Sequence, residues 1–90
     1  MAKKSIEEQR EHWNRAASAV LSAARRDHEP PITQDELAEH LQVTRNVIAN
    51  IESARKEIGV AELVLIAHDL KLDPVALFKL ILGWPSSRQK

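Results

Sequence analysis

Apolar positions recur along this chain at intervals of three and four, and each run is bounded by residues that start or stop helices. The first run takes in Ile6, Trp13, Ala17, Val20, Leu21 and Ala24. Ser5 with Glu8 forms a capping box ahead of it, and neither Gly nor Pro interrupts it before Pro30. The pattern predicts a helix from Ile6 to about Arg26, roughly 30 Å long at 1.5 Å per residue. Asp27 to Ile32, DHEPPI, predicts a loop, because two prolines cannot continue a helix and push the residues before them toward extended backbone. Ile32 is placed to tuck under the next helix as a hydrophobic staple. Thr33 with Glu36 repeats the capping box, before Leu37 and Leu41. Only Gln42 and Val43 separate Leu41 from Thr44, so the chain must turn sharply there, with Val43 as an apolar plug beneath the turn. Val47, Ile48 and Ile51 set the inner face of a third helix, and Arg45, Asn46, Ala49 and Asn50 are left outward.

Ser53 to Ile58, SARKEI, predicts a surface connection, with Gly59 capping a fourth helix from about Val60 to Leu70. Leu63, Val64, Ile66, Ala67 and Leu70 are its candidates for burial, and Leu65 falls outside one narrow stripe. Asp73 and Pro74 read as an N-cap followed by proline at the first helical position, a strong helix start. The fifth helix is apolar almost all round until Gly83 and Pro85 stop it. A terminal helix in a small domain has too little core to bury every side. Val75, Phe78, Leu80, Ile81, Leu82 and Trp84 are therefore expected at an interface, most simply with a second copy of the chain. The expected organisation is one all-α domain over residues 1–85, with a disordered tail, Ser86 to Lys90.

Composition narrows the class. A chain of 90 residues buries only about 60 to 65 % of its unfolded surface, which favours helices packed on one core. Without cysteine there is no disulfide staple and no thiolate metal site. The N-terminus lacks the apolar run of a signal peptide, and Val75 to Trp84, interrupted by Lys79, is far short of the roughly 20 residues of a spanning helix. A soluble, cytoplasmic protein with no membrane association is expected. His12, His28, His40 and His68 stand too far apart in sequence for a local zinc pair, and no nucleophile elbow or phosphate-cradling glycine loop is present. No enzyme, no metal and no cofactor is expected. Trp13 and Trp84 read as packing or interface residues rather than a base-stacking platform, because no basic groove accompanies them.

Residues 33–52 thus read as a helix-turn-helix. A helix of this kind fits the DNA major groove, and its first two turns reach base edges. Arg45 can donate two hydrogen bonds to guanine O6 and N7. Asn46 and Asn50 can each pair with adenine, one turn apart on the same face. Charge gives no support by itself: the chain's thirteen bases and thirteen acids cancel, and from Thr33 to Ile58 three bases face five acids. Any DNA surface must come from the placement of a few cations.

The run QDELAEHLQVTRNVIANIE, followed by LIAHDLKLDPVALF, resembles the Cro and phage-repressor type of helix-turn-helix domain over about Arg25 to Phe78. Gln34, Glu36, Leu37, Ala38, Val43, Thr44, Ile48, Ile51 and Glu52 fall on that motif without a gap. The resemblance implies a five-helix lambda-repressor-like bundle, here with an extended N-terminal helix, usually dimeric, whose third helix enters the major groove. It also implies phosphate contacts from Gln34 and Thr44, with Arg55 and Lys56 touching the backbone farther along unless they form a plain solvated loop. Glu52 is implied to pair with helix 1, with Arg25 the first candidate and Arg26 the second. From the residues alone, those two arginines suit the negative end of the helix dipole as well as they suit a structural ion pair or a phosphate contact. The chain departs from the family at Gln42, Ala54 and Lys71, where glycine is common, and at Ile58, where proline is. Gln42 is expected in a left-handed conformation. The leading expectation is a homodimeric, sequence-specific regulator, such as a repressor, that reads a roughly palindromic double-stranded DNA operator and has no ligand domain. The alternative is a protein-interaction module of the same fold, such as an antitoxin or adaptor that binds a partner protein, with helix 5, Leu65 and helix 1 as docking surface.

Overall fold

Among residues 5–84, which the computed structural model describes, the backbone forms five α-helices and no strand. They are α1 (Ile6–Asp27), α2 (Gln34–Leu41), α3 (Arg45–Glu52), α4 (Val60–Asp69) and α5 (Pro74–Leu82). The starts lie where side chains satisfy the first free amides. Ser5 and Thr33 accept from the amides of Glu8 and Glu36, whose carboxylates bond back to the Ser5 and Thr33 amides, and Asp73 caps Val75. At α4 the Glu62 carboxylate alone does this, accepting from the Gly59 amide at 3.0 Å. The expected stop at Pro85 and the tail Ser86 to Lys90 lie outside the described residues. No helix is long and apolar enough to cross a membrane among those described.

Helix α2 packs on α3, α1 lies against both α3 and α5, and α4 closes the bundle against α2 and α5. At the centre Leu21, Leu37, Ile48, Ile66, Leu70 and Leu77 are fully buried, one from each helix together with Leu70, the residue that caps the end of α4. Each such side chain contributes about 1.5 to 3 kcal/mol through removal from water. Ile32, Val43 and Val47 pack half-buried against this core, so the staple, the plug beneath the turn and the inner face of α3 are one apolar surface. A smaller cluster joins Ala16 and Ala17 of α1 to Ile81 of α5, with Trp84 and Ile58 at its edge. The two alanines let α5 approach α1 closely.

Two of the residues expected at an interface sit apart from the others on α5. Ile81 is buried against α1 within its own chain, so it is not a free interface residue. Leu80 is exposed but sits two residues from both Phe78 and Leu82, about 200° around a helix of 3.6 residues per turn, so one flat partner cannot cover all three. The inward stripe is Leu77 and Ile81, and the helix is apolar on both flanks of it.

Candidate nucleic-acid interface

The turn between α2 and α3 is made by Gln42, which adopts φ 61° and ψ 42° and whose amide bonds back to the carbonyls of Ala38 and Glu39. The following amide, Val43, donates to Ala38 O at 3.0 Å, and this wrap brings Thr44 into extended backbone as the N-cap of α3. Unlike the other capping residues with oxygen side chains, Thr44 makes no side-chain cap bond. Thr44 is exposed, beside the first amides of α3, which a helix leaves without partners of its own.

On α3, Ile48 and Ile51 are buried and Val47 half-buried, which turns Arg45 and Asn46 into solvent. Ala49 and Asn50 are half-buried at the edges of that face. Ala49, outward but given no role by sequence reasoning, presents a methyl group between the two polar positions, chemistry that a thymine methyl matches. The Arg45 guanidinium lies 3.7 Å from Asp35, with both side chains exposed, an ion pair that water and salt largely screen. At the end of α3 the Asn50 carbonyl accepts from the amides of Arg55 and Lys56, which folds the loop tightly around the helix terminus. Arg55 is exposed and makes no ion pair among the described residues. Lys56 instead sits 3.4 Å from the Glu62 carboxylate and is partly neutralised by it.

One network holds this surface in place. Arg25 Nε and Nη2 donate to the two Glu52 oxygens at 2.7 and 2.9 Å, Arg25 Nη1 donates to Ile32 O, and Gln34 Nε2 donates to Glu52 Oε1 at 2.9 Å. The Arg25–Glu52 pair is nearly buried, at 12 % and 7 % side-chain exposure. Burial pushes the Glu52 carboxyl up, but hydrogen bonds from Arg25 and Gln34 and the charges of Arg25 and Arg26 outweigh it and hold the group below its ordinary value. The same bond raises Arg25 against the opposing effect of burial. Gln34, expected to face phosphate, thus has one amide hydrogen committed to Glu52 and one free to donate. Arg26 is exposed and makes no ion pair among the described residues.

Two further polar residues act on α3 from α1. The Ser18 hydroxyl reaches Ile51 O at 2.6 Å and Asn14 Nδ2 donates to Ala54 O at 2.9 Å, satisfying one carbonyl at the C-terminal end of α3 and one in the turn that follows it. Sequence reasoning missed both. The available signal was a serine lying on the apolar stripe of α1, one position from Ala17 and three from Leu21.

This geometry has counterparts. A family model described as Helix-turn-helix matches residues 24–77. Two crystal structures of the clp gene regulator ClgR from Corynebacterium glutamicum are similar in fold, each 27 % identical and covering 79 % of this chain. Their TM-scores are 0.71 and 0.72, over 90 % and 73 % of the respective ClgR chains. No curated protein matches significantly. The fold and its exposed α3 define an all-α DNA-binding protein of the kind that regulates transcription. The chain belongs to the helix-turn-helix family, in the type to which phage repressors give their name.

Proposed function

We propose that the chain is a sequence-specific regulator that acts as a homodimer on a roughly palindromic operator, with α3 in the major groove. The observation that carries this reading is the N-terminal end of α3: Arg45 and Asn46 exposed, Thr44 uncapped beside them, and the helix fixed to α1 and α2 through Glu52. Arg45, Asn46 and Asn50 read base edges. Gln34, Thr44, Arg55 and Lys56 bind phosphates and set the register. With so few cations per copy, one protomer binds weakly, and two copies double the contacts. ClgR, a clp gene regulator, supports the same assignment by similarity.

The test is selection of binding sites from random DNA followed by fluorescence anisotropy on the selected duplex. Arg45→Ala is expected to cost about 1 to 3 kcal/mol on that site and to relax preference at one position of each half-site. Absence of binding, or binding indifferent to Arg45 and Asn46, sinks the reading. A partner-binding module of the same fold is the second reading, favoured by the exposed Leu65 of α4 and by the net charge of zero. A stable complex with another protein that is lost on Leu65→Glu would select it.

A further inference from the structure

Along one edge of α1, residues one turn apart reach the end of α3 and the turn behind it. Arg10 Nε lies 3.3 Å from the Glu57 carboxylate, Asn14 Nδ2 donates to Ala54 O at 2.9 Å, and the Ser18 hydroxyl donates to Ile51 O at 2.6 Å. Residues four apart on a helix share a face, so these contacts form a ladder that climbs α1 while it descends from residue 57 to residue 51. The rungs are unequal. Both partners of the Arg10–Glu57 pair are exposed, and water and salt screen it. Ser18 is buried and Asn14 and Ala54 are half-buried, where a hydrogen bond competes with less water.

Asn14 holds the part of the turn that carries Arg55. Ala54 adopts φ 66°, the left-handed conformation by which the chain leaves α3. The peptide group that joins Ala54 to Arg55 is held at both ends: its carbonyl accepts from Asn14, and its N–H donates to Asn50 O at 2.9 Å. A peptide group is planar, so pinning its oxygen and its hydrogen fixes its orientation, and with it the Cα from which the Arg55 side chain leaves. Since Asn50 stands on the base-reading helix, the same bonds set Arg55 at a fixed spacing from that helix. We infer that Asn14 is a positioning residue for phosphate binding: from α1 it orients the Ala54–Arg55 peptide so that Arg55 meets the DNA backbone in register with α3. Ser18 supports it by holding Ile51 O, one turn along the ladder. The inference deepens the DNA reading above and rests on it. Asn14 acts through Arg55, and the gain is preorganisation: a side chain whose backbone is already fixed loses less freedom on binding.

Hydrogen exchange and fluorescence anisotropy on the full chain test this together. In Asn14→Ala the Arg55 amide is expected to exchange roughly 2- to 10-fold faster relative to that of Leu37, the worth of one hydrogen bond. Affinity for the selected duplex is expected to fall by a similar factor. The slope of log affinity against log salt should shrink by up to about 1 per protomer, with base preference unchanged. The decisive measurement is the double variant: with Arg55→Ala already in place, Asn14→Ala is expected to cost no further affinity. A merely structural role would weaken binding equally with or without the Arg55 side chain. Circular dichroism establishes that each variant is folded, and if Asn14→Ala does not fold, Ser18→Ala alone and with Arg55→Ala carries the same test. An Arg55 amide that exchanges as in wild type, wild-type affinity and salt slope in the folded variant, or an equal loss in the Arg55→Ala background overturns the inference and leaves the regulator standing. A wild type that binds no DNA removes the regulator reading and takes this inference with it.

Discussion

Three side chains sit where the backbone favours glycine: Gln42 at φ 61°, Ala54 at φ 66° and Lys71 at φ 60°. Each ends a helix segment by a left-handed residue, where a Cβ crowds the following carbonyl at a cost of about 1 kcal/mol. Gln42→Gly, Ala54→Gly and Lys71→Gly are each expected to raise stability by up to about 1 kcal/mol, a shift of roughly 4 to 8 °C in a domain this size. Thermal melts of the three variants check this, and a loss of stability at any of them would place its native conformation elsewhere. The family likeness marked Gln42 as left-handed in advance, and Ala54 and Lys71 are the other two helix-end positions at which that family carries glycine. The His40–Asp69 pair, by contrast, left no trace in the sequence, because it joins residues 29 apart. Asp69 closes α4 at the negative end of its dipole, and His40 Nδ1 lies 2.9 Å from its carboxylate. That hydrogen bond, then the Asp69 charge, with help from Glu39 and Glu36, raises the imidazole above its ordinary value. The folded state therefore favours protonated His40. Its stabilisation is full below the unfolded value of about 6.5 and fades as pH rises through the higher folded value. Asp69→Asn should lower the melting temperature more in mild acid than in mild alkali, and a pH-independent difference would refute the pairing.

At the scale of helices, the sequence made starts legible and cross-connections mostly not. Ser5, Thr33 and Asp73 cap their helices as local chemistry dictates, since a cap needs only its neighbours within three residues. The Arg25–Glu52 pair was reachable only through the family likeness. Asn14 and Ser18 were not reached at all, because an apolar stripe reads a polar residue as an interruption rather than as a donor to another helix. Glu52 is the joint of this set, and its depressed pKa gives it a definite acid signature. Its contribution is present above the unfolded carboxylate value of about 4.3 and is lost as pH falls through the lower folded value. Glu52→Gln strands the guanidinium of Arg25 in a nearly buried site and is expected to cost about 3 to 5 kcal/mol at neutral pH. Urea titrations of wild type and variant should show that gap narrowing in acid. A neutral-pH cost below about 1 kcal/mol would mean that the pair does not hold α3.

Across the whole molecule, the zero formal charge becomes intelligible once positions are known. Glu52 faces inward to Arg25, and Glu62 is turned to Lys56 and the Gly59 amide. Arg55 is left as the least compensated cation near the end of α3. Replacing it with alanine is expected to weaken binding evenly across DNA sequences and to reduce the slope of log affinity against log salt by about 1 per protomer. Anisotropy titrations at several salt concentrations read that slope, and an unchanged slope would move the phosphate contact elsewhere. Composition alone hid this arrangement, because a count of charges carries no direction. The scarcity of free cations around α3 has a last consequence under the proposed function, for how such a regulator answers its own abundance. If two copies must meet before either holds DNA, operator occupancy follows the square of protein concentration while single copies predominate. Gene output then responds to a threshold in dose rather than in proportion to it.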